Sequence, residues 1–372
     1  MKKRILFLVN HDIVIYNFRL EIVERLLKEG YEVHISSPDG VRISELKDLG
    51  CHFHEIKINR HGMNPIEEFQ LIQTYKKLFH KVKPNVILGF TIKPNIYGSI
   101  AAKRLKIPFI ANITGLGTAV EYKSWKQPIF INLYKYAFKG IYKVYFQNTA
   151  NRDFFLKHKI IKNQFSLIPG SGVNLHRFSE KEFPHISPIK FAFISRVMKE
   201  KGIEQFLDAA TYIKKKFPNT EFHIYGFCEQ AYEKKLEFLE ENGIVKFHGM
   251  IKDVAGALEN SSCLIHPSYY PEGLSNVLLE ASAIGRPIIT TDRPGCREVI
   301  DDGINGYLIE QKNSEDLISK IEKFLKLSPE QKEDLGHNAR LKVEREFDRQ
   351  IIVEQYIKDI ERVINQENEQ IL

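Results

Sequence analysis

The 372-residue chain has no apolar run approaching the ~18 uninterrupted residues that a membrane-spanning helix needs. Cysteine is scarce: Cys51, Cys228, Cys263 and Cys296 stand far apart, with no CxxC and no metal-ligand spacing. That excludes a disulfide framework and a thiolate metal site, and fits reduced, buried thiols in a cytoplasmic protein. The glycine fingerprint of a dinucleotide-binding turn is also missing. The first strand-like run leads into NHDIVIYNFR, and Gly226 opens GFCEQA without the second and third glycines. Nicotinamide-dependent redox chemistry is therefore set aside. No Asp-x-Asp pair suited to a divalent ion is present.

The start, MKKRILFLVN, places basic residues before an apolar run, as a signal peptide would. The run stops at Asn10-His11-Asp12 without a small-residue cleavage site, so a first buried strand fits better. Hydrophobic and charged fractions of 43% and 27% are those of a soluble globular protein. The length exceeds one ordinary core and points to two domains. Charge divides unevenly between them. Residues 1–178 carry 28 Lys and Arg against 13 Asp and Glu, a net +15, while the remainder carries 26 against 34, a net −8. A basic half of this kind faces an anionic partner, either nucleic acid or an anionic membrane surface.

Strand-like runs and helical patterns alternate along the whole chain. In the first half the runs are 4–10, 31–37, 52–58, 84–90, 108–114 and 143–148; Phe18 to Lys28 is one of the helices between them. Charge and prolines interrupt the pattern around Phe178–Ile189. It restarts with runs at 190–196, 221–226, 245–249, 263–268, 286–291 and 306–309, with helices at Gly202–Lys216 and Glu229–Asn242. From Ser314 to about Gln366 the pattern is helical. The expected architecture is α/β: two doubly wound, Rossmann-like domains at 1–178 and 190–345, joined by a linker at 179–189. A last helix within 346–372 returns to the first domain. Such a pair places a ligand in the cleft between strand C-termini.

Chemistry concentrates in His266–Glu280, HPSYYPEGLSNVLLE. A strand-like run ends, a Pro/Gly/Tyr turn follows, and an apolar helical pattern opens with Glu272 on the turn and Glu280 one turn into the helix. The backbone of Gly273, Leu274, Ser275 and Asn276 lies at the helix start, where amide groups attract phosphate. Either carboxylate alone reads as a helix cap or a solvated face. Two carboxylates also describe a retaining glycosidase, but that enzyme has no use for a diphosphate clamp. Such a clamp is present in Arg196, at the end of run 190–196, and Lys201, just before Gly202 and a helix. Arginine offers a bidentate fork and lysine a point charge; without a partner site both would read as surface cations.

Glu272…Glu280 with E-x7-E spacing, preceded by Arg196 and Lys201 and followed by GRPIITTDRPGCREVIDDGINGYLI, resembles glycosyltransferase family 4 over residues 190–345. The resemblance implies the GT-B architecture and transfer of a sugar with retention of anomeric configuration. It implies that Arg196 and Lys201 hold the donor diphosphate, that Glu280 binds the ribose, and that Glu272 approaches the sugar ring. Gly273 to Asn276 would receive the phosphates, Glu298 would support their loop, and the turn at Met250 and Ile251 would hold the base. Fixed cations and a helix start would stabilise the departing nucleoside diphosphate. No cofactor and no metal are expected.

The segments 9–33 and 91–120 resemble a bacterial subgroup that builds capsule, O-antigen and N-linked oligosaccharides on undecaprenyl diphosphate. N-acetylgalactosamine transferases are prominent in it. The implied partners are a UDP-sugar and a lipid-diphosphate-linked saccharide. A GT-B epimerase, a transferase with a soluble acceptor and a non-catalytic nucleotide-sugar-binding regulator stay open. Many family members carry a His near Thr114, whereas this chain reads NITGLG; His11 is a candidate replacement. Asn17 (donor side) and Arg19 follow the first strand, Lys93 and Asn95 follow the fourth, and Gly115 and Gly117 flatten the loop after run 108–114. Arg19, Lys93, Asn95, Thr114, Gly115 and Gly117 form the expected acceptor side, each also readable as a turn or cap residue.

Residues 121–146 interleave the only Trp, several Tyr and Phe, and lysines including Lys135, Lys139 and Lys143. Three readings fit: a half-buried helix with snorkelling lysines, a single-stranded nucleic-acid site, or an interfacial membrane element. A lipid-linked acceptor requires the last, and no nucleic-acid partner is expected. The expected location is the cytoplasmic face of the plasma membrane, with peripheral attachment.

Overall fold

The computed structural model describes residues 2–59, 62, 64–117, 120, 125, 127–185 and 187–369. Two compact units emerge: Met1–Ser171 with Pro271–Gly273 and Arg349–Leu372, and Gly172–Tyr270 with Leu274–Asp348.

The first unit holds seven parallel strands: β1 Arg4–Leu8, β2 Glu32–Ser37, β3 His52–Glu55, β4 Val86–Phe90, β5 Phe109–Ile113, β6 Lys143–Phe146 and β7 Phe165–Leu167. Their order is β3-β2-β1-β4-β5-β6-β7. The central strands are almost wholly apolar, with Arg4 at the start of β1 and Asn112 in β5 the polar members, as suits strands covered on both faces. One face packs on the helices Pro65–Val82, Ser99–Arg104 and Gln127–Ala137. The other is covered by Leu20–Lys28 and by the last helix, Arg349–Glu369, through Ile352, Tyr356 and Ile360. Arg349 pairs with Glu21 at 2.8 Å, and Tyr356 donates to Asn112.

The second unit repeats the plan with β8 Ile189–Ile194, β9 Thr220–Tyr225, β10 Lys246–Phe247, β11 Cys263–His266, β12 Ile288–Thr291 and β13 Gly306–Ile309, in the order β10-β9-β8-β11-β12-β13. Helices Ile203–Lys216 and Ser314–Leu325 cover one face, and Asn276–Ile284 and Pro329–Glu346 the other. In each sheet the order reverses once, between β1 and β4 and between β8 and β11. A doubly wound sheet opens a crevice at the strand C-termini of that reversal.

One expectation changes. The stretch expected as a linker is packed into the second unit: Lys181 N–H donates to the Ile284 carbonyl, and Phe183 is buried. The cause is Arg286, itself buried, which donates to the carbonyls of Lys181, Glu182, Leu258 and Glu259 at 3.1, 2.9, 3.2 and 3.2 Å. The helical tail is three helices, broken at Leu325 and at Glu346.

Candidate functional site

The crevice between β8 and β11 receives both chemistry-bearing segments of the second unit. After β8 the chain runs through Arg196 into a 3-10 turn at Lys199–Lys201, then Gly202 at φ +79°. A Cβ at Gly202 would collide with the Pro267 carbonyl, so glycine lets this turn lie directly against the segment that follows β11. Tyr269 N–H donates to the Glu200 carbonyl at 2.8 Å and ties the two together.

Arg196 and Lys201 meet over one ring: the guanidinium carbon and the ammonium nitrogen each lie 5.1 Å from the Tyr270 ring centroid. Arg196 also pairs with Glu229. Lys201 is buried, and its pKa falls from 10.5 to about 7, first by desolvation and then by Arg196. Arg293, buried and donating to the Tyr269 carbonyl, adds a third positive charge. Two cations against one aromatic ring, one of them desolvated, form an arrangement that an anion stabilises.

Glu280 is half-buried at the middle of the helix Asn276–Ile284. The turn before that helix is held from behind. The Glu298 carboxylate accepts from Gly295 N–H at 2.8 Å, and the Gly295 carbonyl accepts from Ser275 N–H at 2.8 Å. Burial raises the Glu298 pKa.

Pro271–Gly273 pack in the first unit. Gly273 N–H donates to the Thr114 carbonyl at 2.9 Å, and Asn148 Nδ2 donates to the Gly273 and Glu272 carbonyls at 2.6 and 3.3 Å. Gly115, at φ +143°, passes close to the Pro271 carbonyl, 2.8 Å from where a Cβ would sit. Glu272 is half-buried here. The amides of Gly273 and Ser275 are thus engaged within the protein, which corrects the expectation that the whole stretch to Asn276 is offered to phosphate. Leu274 N–H has no partner among the described residues.

Of the acceptor-side candidates, Arg19 and Asn95 are interior. Arg19 is 2% exposed, lies 5.1 Å over the Phe90 ring, and donates to the Phe18 carbonyl at 2.6 Å. Desolvation lowers its pKa. It joins the helices Ile13–Phe18 and Leu20–Lys28, whose junction turns the side chain inward. Asn95, 1% exposed, donates to the Asn112 carbonyl at 2.8 Å and braces β5. Lys93 pairs with Glu68, Asn17 is half-buried, and Gly117 stands at φ +73°. His11 Nδ1 lies 2.6 Å from Asp12 Oδ1. Ile251 is half-buried and Met250 exposed in the turn after β10. Sequence reasoning missed Tyr270, Arg293, Glu229 and Asn148. Tyr270 and Arg293 lay inside the quoted motifs, whereas Glu229 and Asn148 carried no local signal.

Residues 121–124 and 126 of the aromatic-basic segment lie outside the described residues. Within the rest, the helix Gln127–Ala137 buries Ile131, Tyr134 and Ala137 and exposes Ile129, Lys135 and Tyr136, and the segment ends in β6. Lys143 does not share that surface: it pairs at 2.6 Å with Asp359 of the last helix. Among the described residues no helix is long and apolar enough to cross a membrane.

Two doubly wound sheets with a cationic crevice after β8 and β11 define the GT-B class of sugar-transferring folds. The chain carries the family descriptions "Glycosyl transferase 4-like" at residues 4–148 and "Glycosyl transferases group 1" at 177–342. It is 30% identical to the N,N'-diacetylbacillosaminyl-diphospho-undecaprenol alpha-1,3-N-acetylgalactosaminyltransferase of Campylobacter jejuni, over 97% of this chain and 99% of that one. It is 26% identical to the capsular polysaccharide biosynthesis glycosyltransferase CapM of Staphylococcus aureus over 90% of each. The Anabaena protein HepE, solved with UDP and glucose, shares the fold at TM-score 0.80 and 18% identity, covering 97% of this chain and 100% of that one. The chain belongs to this glycosyltransferase family.

Proposed function

We propose that the protein moves an N-acetylhexosamine, with N-acetylgalactosamine the first choice, from a UDP-sugar to a saccharide linked to undecaprenyl diphosphate. The reaction serves bacterial surface polysaccharide or glycan synthesis. The observation that carries this reading is full-length similarity to the Campylobacter jejuni enzyme, whose name specifies that donor sugar and that lipid carrier.

In this reading Arg196 and Lys201 take the diphosphate, the start of the helix Asn276–Ile284 takes a phosphate oxygen, Glu280 takes the ribose hydroxyls and Glu272 the sugar. The anomeric C–O bond breaks and the electron pair leaves with UDP. The acceptor oxygen attacks the face just vacated, and its proton passes to the departing phosphate, so configuration is retained. Arg196, Lys201 and Arg293 supply the positive charge this departure needs, and no divalent ion takes part. The enzyme works at the cytoplasmic membrane face, docked through its basic first unit. Exposed Ile129 and Tyr136 beside Lys135 and Lys139 support that placement, in the aromatic-basic pattern of an interfacial element.

The test is UDP release from a panel of UDP-sugars, with lipid-linked and soluble acceptors, in the presence of a chelator. Turnover that depends on the lipid-linked acceptor is the expected result. Binding without turnover of any donor would favour a regulator instead.

A further inference from the structure

Ser275 is the N-cap of the helix Asn276–Ile284, where a serine hydroxyl ordinarily accepts from an amide of the first helical turn. Elsewhere in the chain Asn64, Asn148, Asp253, Asn313 and Ser328 make such bonds. Ser275 makes none; its Oγ lies 3.1 Å from His266 Nε2. Both residues are buried, at 3% and 1% exposure. His266 ends β11, its carbonyl accepts from the Thr290 hydroxyl at 2.7 Å, and its Nδ1 has no partner among the described residues. Burial, with Lys201 nearby, holds the ring neutral. A neutral ring offers one bond to this hydroxyl in either tautomer.

We propose that His266 is a positioning residue: it holds the Ser275 hydroxyl away from the helix, so that the Val277 amide, which has no partner among the described residues, stays uncapped for an anionic group of the donor. The inference rests on the donor-site reading above. A released hydroxyl would cap the helix from within and compete with the diphosphate for that amide. The crevice would then keep its fold and lose affinity, because the competing group belongs to the chain itself.

The experiment compares UDP binding by calorimetry for the full-length wild type, H266L, H266L/S275A and H266Q. H266L frees the hydroxyl and is expected to weaken UDP by about tenfold. Removing the hydroxyl as well, in H266L/S275A, recovers most of that loss, a rescue that simple damage to the fold would not give. H266Q, whose amide reaches the same oxygen, stays within about threefold of wild type. If H266L does not fold, H266N, too short to reach Ser275, replaces it in the same pairing. The proposal is overturned if H266L binds UDP as wild type does, or if the double variant binds no tighter than the single one. A wild-type chain that binds neither UDP nor any UDP-sugar overturns the donor reading itself. Wild-type binding without rescue overturns the positioning role alone.

Discussion

Lys201 is buried with its ammonium nitrogen 5.1 Å from the Tyr270 ring centroid, and its pKa falls to about 7. Desolvation is the first cause and Arg196 the second; Arg293 acts in the same sense, while Cys296 and Glu229 oppose it. In the unfolded chain the group titrates near its ordinary 10.5. Between those values the unfolded state binds more protons, so this group's contribution to stability is full above 10.5 and is lost as pH falls to about 7. A bound diphosphate reverses the balance by favouring the charged form. UDP binding should therefore take up a proton near pH 8 and weaken as pH rises, by at most about tenfold per unit. Calorimetry in buffers of different ionisation enthalpy measures that uptake, and K201M should abolish it.

The two carboxylates should separate by kinetics. On the proposed reading E280Q loses a ribose contact, and it is expected to raise the KM for the donor by about tenfold with a smaller change in kcat. E272Q is expected to keep UDP affinity and to lower kcat by about a hundredfold or more, because the proposed reading puts its contact on the reacting sugar. Steady-state kinetics alongside UDP calorimetry checks both.

Membrane docking and fold stability should respond to different lysines. K135E/K139E is expected to reduce flotation with anionic liposomes while leaving the melting temperature unchanged, since both side chains are exposed. Lys143 sits with 14% of its side chain exposed against Asp359 at 2%. K143M removes the closer cation and leaves that carboxylate to Arg362 at 3.7 Å and to the Tyr145 and Gln355 donors, with an expected loss of about 2 kcal/mol in chemical denaturation and unchanged flotation.

Much of this was legible in the sequence because parallel strands covered on both faces read as apolar runs. Every strand but one lies within or beside such a run. The exception, β7 Phe165–Leu167, is a three-residue edge strand, too short to stand out. The Arg196, Lys201 and Glu280 segments were legible because a doubly wound sheet gathers its ligand at strand C-termini. Arg19 and Asn95 occupy equivalent places after β1 and β4, yet Phe90 and the Asn112 carbonyl draw them inward. Direction of that kind depends on tertiary partners. For the same reason the His266–Ser275 bond, between residues nine apart across a turn, carries no mark in the chain.

Transfer of labelled sugar from UDP-N-acetylgalactosamine to an undecaprenyl-diphosphate-linked saccharide, in excess chelator, tests the central claim most directly. The predicted result is a lipid-linked product extended by one residue in α configuration, lost in E272Q. Absence of transfer from every UDP-sugar offered, or a product of inverted configuration, would contradict it.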